Sequence, residues 1–322
     1  MLSTFTQKLA GAIAFLCYLL NTIFWLIPIV MFSLLKSMMP FNAAQKILNH
    51  LLDGCASNWV SVNGITQRVI GDPNIHVTGI DGLSLNKWYM VISNHQSWVD
   101  ILVLQRVLNG KIPFLKFFLK KELIFVPFLG LAWWALDFPF MKRYSKKFLA
   151  KNPHMRGKDI ETTKKACAKF KHKPVSVMTF VEGTRFTPHK HSQQASTFTH
   201  LLKPKAGGIA FALDAMNGQL DTLVNVTIYY PQGIPTFWQF ISGQVQQIQV
   251  QISTQDINSN YIGDYSNDKA FQANFQQWIN ELWLNKDQAL ENFKLMNKVE
   301  ADIENKETLS KDKSIATFHS QK

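Results

Sequence analysis

Cysteine is scarce in this chain: three residues in 322, at positions 17, 55 and 167, with no paired spacing. That excludes a disulfide framework and a cysteine-based zinc site, and it suits a reducing compartment. Internal repeats are absent as well. Charge is missing altogether from residues 9–35, LAGAIAFLCYLLNTIFWLIPIVMFSLL, a run of 27 positions. About 20 apolar residues span a bilayer, so residues 1–40 are expected to form an N-terminal membrane anchor. The run is too long for the apolar core of a cleaved signal peptide, and no small-residue cleavage site follows it. Asn21 and Pro28 leave a second arrangement open, a bent or hairpin anchor lying partly in one leaflet. Lys8, Lys36 and Lys46 flank the run, and the basic body beyond favours the cytoplasmic side.

Acids are the other scarcity. Between Lys111 and Lys173 there are 16 lysines and arginines against four acids, so this stretch alone carries +12, the formal charge of the whole chain. Such a local field attracts phosphates, whether on nucleic acid, lipid headgroups or a phosphorylated co-substrate.

What is present is the material of a folded α/β domain: hydrophobic residues make up 47% and charged residues 17%, enough for a substantial core. Residues 41–70 read as an amphipathic helical connector, with Ala44, Ile47, Leu51 and Leu52 at helical spacing. Strands are expected at 75–80, 88–93, 174–181, 223–231 and 244–253, and helices at 98–108, 156–172, 207–216 and 268–290. Asn109-Gly110 marks a helix stop. Residues 123–140 are apolar but broken by Pro127, Gly130 and Pro139. They fit either a buried core segment or an interfacial helix with Trp133 and Trp134 at headgroup depth. Residues 186–200 read as a polar loop. The main domain is expected over 71–290, followed by a flexible polar tail at 291–322.

Three stretches carry chemistry. In ISNHQSWVDI (92–101), His95 falls in a strand-to-helix connection and Asp100 in the first helical turn beyond it. A carboxylate there can fix the imidazole tautomer and leave the other nitrogen as a general base. The plainer reading is a capping box, Ser97-x-x-Asp100 before an apolar run. In FVEGTRF (180–186), Gly183 permits an unusual backbone turn and Arg185 offers a planar fork for a phosphate. Glu182 can orient that arginine or hold a substrate hydroxyl; a strand-end turn with an exposed ion pair is the alternative. FPFMKR (138–143) places Arg143 at the edge of an apolar surface, where a phosphate or bulk solvent could meet it. Lys205 precedes a helix start and adds a further anion-friendly position.

Taken in order, NHQSWVD at 94–100, the aromatic segment from KKELIFVPFLG to FPFMKR, Glu182-Gly183-Thr184-Arg185, and LVNVTIYYP at 223–231 resemble the glycerolipid acyltransferase family. That family includes the 1-acylglycerol-3-phosphate acyltransferases. The resemblance runs from about residue 70 to 232. EGTRFTPHKH with the V-T-x-x-Y-P pattern is similar to its lysocardiolipin-acyltransferase-like branch. One departure stands out: Asn225 lies between Val224 and Val226 where the family usually has proline, which leaves the acceptor headgroup open.

The resemblance implies a mixed central sheet flanked by helices behind a membrane helix. It further implies acyl transfer from acyl-CoA or acyl carrier protein to the free hydroxyl of a lysophospholipid in the bilayer. In that reading His95 and Asp100 are catalytic, and Arg143, Glu182, Gly183, Thr184 and Arg185 bind substrate, joined on position alone by Lys205. No metal, cofactor or nucleic acid is expected. The location implied is the inner, cytoplasmic membrane with the site facing the cytoplasm. Two rivals remain on charge and spacing: a basic membrane-attached binding protein, for nucleic acid among other ligands, and a metal hydrolase using His95, Asp100, His189 and His191.

Overall fold

The structure, a computed structural model, describes residues 4–141, 170, 173–265 and 267–319. Its centre is a six-stranded sheet of β1 (Asn74–Thr78), β2 (Tyr89–Ser93), β3 (Leu115–Phe117), β6 (Ser176–Phe180), β7 (Thr222–Tyr229) and β8 (Gln247–Asp256). The spatial order is β1-β8-β7-β2-β6-β3. Strands β7, β2, β6 and β3 run parallel, β8 is antiparallel to β7, and β1 is parallel to β8. The sheet is therefore mixed, as expected. A separate two-stranded ribbon pairs β4 (Leu119–Lys120) with β5 (Phe140–Met141).

Strand β2 shows why the sequence folds this way. All five residues are buried, the pattern of a central strand covered on both faces. Side chains alternate across a strand, so Tyr89 and Val91 enter one core while Met90 and Ile92 enter the other. The first core is shared with α1 (Thr4–Met38), α2 (Asn42–Gly71), α3 (Val99–Leu108) and α4 (Leu129–Ala135). The second is covered by α6 (Gly207–Met216) and α8 (Lys269–His319). Two short helices complete the chain, α5 (Pro188–Gln193) and α7 (Phe237–Ile241).

Helix α1 has 35 residues and is, among the described residues, one helix long and apolar enough to cross a membrane. It packs lengthwise on the body. Gly11, Ala14, Asn21 and Ile29 are buried, and Asn21 donates to the Trp59 carbonyl at 3.0 Å and to Asn63 Oδ1 at 2.8 Å. Lys36, near its end, pairs with Asp137 at 2.5 Å. Phe5, Leu9, Ile13, Leu16, Leu20 and Phe24 follow one another at three- and four-residue steps on its exposed side.

Several expectations differ from what is seen. The connector helix runs to Gly71. Residues 123–140 form no single interfacial helix: a 3-10 turn and α4 bury Ala132, Ala135 and Leu136 while Phe125 and Trp134 stay exposed. Pro127 separates the turn from α4, while Gly130 lies buried within the helix. The loop at 186–200 contains α5, started by Thr187, whose hydroxyl accepts the Lys190 N–H. Helix α8 continues through His319, across the segment expected as a flexible tail. The expected helix at 156–172 and most of the basic stretch lie outside the described residues.

Candidate active site

Three adjacent parallel strands, β7, β2 and β6, end at the same edge of the sheet, and the chemistry-bearing residues sit just past those ends. Ligand sites of α/β sheets commonly lie outside the carboxyl ends of the strands. His95 follows β2 by two residues, Glu182 follows β6 by two, and Tyr230 follows β7 directly.

His95 Nδ1 lies 2.8 Å from Asp100 Oδ2. The same oxygen accepts the backbone N–H groups of Gln96 and Ser97 at 2.6 and 2.8 Å, and Oδ1 accepts the Tyr230 hydroxyl at 2.6 Å. With Asp100 ionised and acceptor-only, Nδ1 carries the ring proton and Nε2 keeps a free lone pair. The imidazole stacks on Phe180 with centroids 3.7 Å apart and planes at 9°. Its backbone is held at both ends: the N–H donates to Glu182 Oε1 at 2.9 Å, and the carbonyl accepts the Phe186 N–H at 2.7 Å. Asn94 bonds both the carbonyl and the N–H of Ile228 at 2.9 Å, which ties the end of β2 to β7.

The capping box expected at Ser97-x-x-Asp100 is not formed: α3 begins after Trp98, which makes no side-chain cap bond, and Asp100 donates its N–H to the Ser97 carbonyl rather than to Oγ. Ser97 Oγ accepts the Val99 N–H at 3.2 Å, and the Asp100 carboxylate takes the Ser97 N–H in return. Ser97 Oγ also donates to the Pro235 carbonyl at 2.6 Å.

Glu182 occupies a different place from the one expected. It is fully buried, with Oε1 on the His95 N–H and Oε2 accepting the Leu202 N–H at 3.0 Å. Both oxygens are thus engaged by backbone donors, away from Arg185 and from any exposed ligand surface. Burial raises its carboxyl to about 7 against the pull of those two N–H groups. Lys286, on α8, is 1% exposed and donates to the Val226 carbonyl at 2.5 Å and to Thr227 Oγ1 at 3.1 Å. Burial lowers its ammonium to about 7, opposed by the charge of Glu182.

The remaining sequence-derived positions surround the mouth. Gly183 adopts φ 69°, the left-handed turn that glycine permits. Thr184 Oγ1 accepts from Lys190 Nζ at 2.8 Å, and Lys190 also donates to the Arg185 carbonyl at 3.0 Å. Arg185 is exposed, its guanidinium 4.8 Å from the centroid of the Trp98 ring. Lys205 is exposed two residues before α6, its N–H on the Val181 carbonyl at 2.9 Å. Arg143 lies outside the described residues. Of the two loop histidines in the metal-hydrolase rival, His191 directs Nε2 to the Phe198 carbonyl at 2.7 Å.

Tyr230, Lys190 and Lys286 were not singled out from the sequence. For Tyr230 the V-T-x-x-Y-P pattern was the available signal, and for Lys190 its place six residues after Thr184. Lys286 gives none, because one lysine on a long polar helix reads as solvated. Together the geometry supplies an oriented base at Nε2 and a cationic rim at Arg185 and Lys190. That combination can deprotonate a hydroxyl on a molecule that also carries an anion.

Residues 74–231 match the family model described as Acyltransferase. The 1-acyl-sn-glycerol-3-phosphate acyltransferase 3 of Arabidopsis thaliana is 26% identical over 220 residues, covering 63% of this chain and 53% of the plant protein. Lysocardiolipin acyltransferase 1 of Danio rerio is 23% identical over 259 residues, 76% of this chain and 62% of the fish protein. The chain therefore spans little more than half to about three-fifths of these relatives. Among solved structures, the 1-acyl-sn-glycerophosphate (LPA) acyltransferase PlsC from Thermotoga maritima superposes with a TM-score of 0.53 at 15% identity, over 88% of this chain and 98% of its own. That likeness concerns the fold.

Proposed function

We propose that this protein, whose residues 74–231 match the Acyltransferase family model, moves a fatty acyl group from a thioester to the free hydroxyl of a lysophospholipid. The observation that carries this reading is the 2.8 Å contact between His95 Nδ1 and an Asp100 carboxylate held by three further donors. Nε2 takes the proton of the acceptor hydroxyl as its oxygen attacks the thioester carbonyl. The tetrahedral intermediate collapses with cleavage of the C–S bond, and the imidazolium returns the proton to the leaving thiolate. Asp100 stabilises the imidazolium meanwhile. The products are the diacylated lipid and a free thiol, so the step balances with the thioester as sole co-substrate.

Arg143, Arg185 and Lys190 meet the acceptor phosphate in this account, with Lys205 adding positive charge just before α6. Glu182 acts by holding the His95 peptide. The favoured acceptor is 1-acylglycerol-3-phosphate, giving phosphatidic acid. A lysocardiolipin or lysophosphatidylglycerol acceptor is the second reading, supported by the longer match to the fish protein. Acyl-CoA and acyl carrier protein both fit as donors.

A lysophospholipid leaves the bilayer reluctantly, because each buried CH₂ is worth about 0.8 kcal/mol. Lengthwise packing of α1 against the body supports an anchor that lies along the membrane surface with its apolar side in one leaflet; the basic body and the family resemblance favour the cytoplasmic face of the inner membrane. The deciding experiment presents the purified full chain with a panel of lysophospholipids and both donors. The reading predicts acylation of at least one phosphate-bearing acceptor, and a folded protein that acylates none contradicts it.

A further inference from the structure

Residues 222–255 contain no Asp, Glu, Lys, Arg or His in 34 consecutive positions. Much of that run is β7 and β8, but the connection between them lies at the surface beside the catalytic turn. There Ile234 is 48% exposed, Phe237 36% and Trp238 43%. The connection is firmly built. Thr236 Oγ1 accepts the Gln239 N–H while the Gln239 side chain accepts the Thr236 N–H, a complete capping box. Phe240 and Ile241 anchor the inner side of α7 in the core. An ordered, charge-free segment that turns large apolar side chains outward marks a contact surface.

Two contacts fix its place. On one side the Ser97 hydroxyl donates to the Pro235 carbonyl at 2.6 Å, joining the segment to the turn that carries His95 and Asp100. Trp98 of that turn is itself 51% exposed. On the other side the segment abuts α1: the Phe237 and Tyr18 rings are 6.5 Å apart. At Gly11 a Cβ would lie only 2.8 Å from the Trp238 indole, so α1 approaches as closely as glycine allows. Segment 234–238 thus lies between the body-facing side of α1, which its aromatic rings touch, and the edge of the candidate site, with Ile234 and part of each ring left open to the surface. Tryptophan with its polar N–H, and arginine at an apolar rim as at Arg185 over Trp98, both suit the headgroup layer.

We propose that residues 234–238, with Trp98, form a second lipid-contacting element that seats on the bilayer beside α1 and, through the Ser97–Pro235 hydrogen bond, sets the depth of His95 at the headgroup level. The proposal rests on the membrane-docking part of the function proposed above and names the surface that does it. Its occupant is a phospholipid bilayer. The acceptor hydroxyl then reaches Nε2 while the acyl chain stays among the lipids.

The test uses the full chain with Cys17→Ser, Cys55→Ala and Cys167→Ser, reconstituted in vesicles of phosphatidylethanolamine and phosphatidylglycerol. One environment-sensitive fluorophore is attached at Ile234→Cys, at Leu20→Cys on the outward row of α1, or at Asp81→Cys in the turn between β1 and β2 at the opposite pole of the sheet. Spin-labelled phospholipid is expected to quench the labels at 234 and 20 and to spare the one at 81. Ile234→Ser is expected to weaken vesicle partitioning about tenfold, the scale of losing one large buried aliphatic side chain. Quenching at 20 without quenching at 234 overturns the second element while leaving the anchor. Quenching at neither overturns both it and the membrane docking. A change at 234 that follows protein concentration and ignores lipid assigns the surface to a second copy, and also overturns the proposal. None of these readouts depends on acyl transfer, so a failure of the chemistry is seen separately.

Discussion

Asp100 accepts four hydrogen bonds through two oxygens: Nδ1 of His95 and two backbone N–H groups on one, the Tyr230 hydroxyl on the other. An asparagine there can keep that geometry, its carbonyl facing the three N–H donors and its amide facing the Tyr230 oxygen. What it loses is the charge that stabilises an imidazolium. Asp100→Asn is therefore expected to lower kcat by about 10²–10⁴-fold with little change in Tm. Steady-state kinetics beside a thermal melt checks this, and near-normal kcat in a folded variant contradicts the assignment. The pairing of His95 with Asp100 was legible in the sequence because a strand end followed by a helix start fixes where five-residue spacing leads. The place of Glu182 was not. An acid beside an arginine suggests an ion pair or a ligand contact, whereas this one is consumed by the backbone N–H groups of His95 and Leu202, partners that only the fold brings together. Gln96 and Ser97 show the same thing on a smaller scale, since their N–H groups are taken up by the Asp100 carboxylate where the sequence pattern suggested a capping box.

Among elements, α8 departs most from its sequence reading. A helix was legible over 268–290, and within that range Phe275, Ile279, Trp283 and Leu290 lie in the second core. Its polar residues also reach the site. Asp287 accepts the N–H groups of Thr199 and His200 at 2.7 Å, and Lys286 holds the end of β7. Nothing in the local pattern distinguishes Lys286 from its solvated neighbours; burial beneath Glu182 is a tertiary fact. It has a measurable consequence. An ammonium lowered from 10.5 to about 7 by burial favours the folded state at high pH, and that contribution is lost as pH falls toward and through 7. Glu182, raised from 4.5 to about 7, acts in a lower window: its contribution is present below 4.5 and lost as pH rises through 7. Above pH 7 the lysine therefore dominates. Stability of the natural protein relative to Lys286→Met is expected to rise from pH 7 to 10, followed by paired thermal melts across that range. A constant difference contradicts the buried, proton-poor lysine.

At the scale of the whole molecule, helix α1 and the body form one packing unit. The sequence marked residues 9–35 as membrane-seeking from composition alone. It could not show that Ala14 and Ile29 complete the core, or that Asn21 bonds Trp59 and Asn63 on α2. Deleting residues 1–40 therefore strips a face that covers α2 and leaves Trp59, Leu52 and their neighbours to water. Each large apolar side chain exposed costs about 1.5–3 kcal/mol, so the shortened chain is expected to aggregate or to melt well below the full one. Size-exclusion chromatography with a thermal melt decides it; a monodisperse, equally stable fragment contradicts the lengthwise packing. The mixed sheet was readable as alternating strands and helices, but its order was not. Strands β1 and β2 are neighbours in sequence yet lie three places apart in the sheet, with β8 and β7 between them.

The central claim is that His95, oriented by Asp100, carries acyl transfer to a lysophospholipid hydroxyl. The most direct measurement follows labelled 1-acylglycerol-3-phosphate and an acyl thioester with the purified full chain, for the natural protein and for His95→Ala matched in fold by circular dichroism. The account predicts phosphatidic acid and a stoichiometric free thiol from the first, with the rate falling about 10²–10⁴-fold in the second. Equal rates from the two proteins would contradict it.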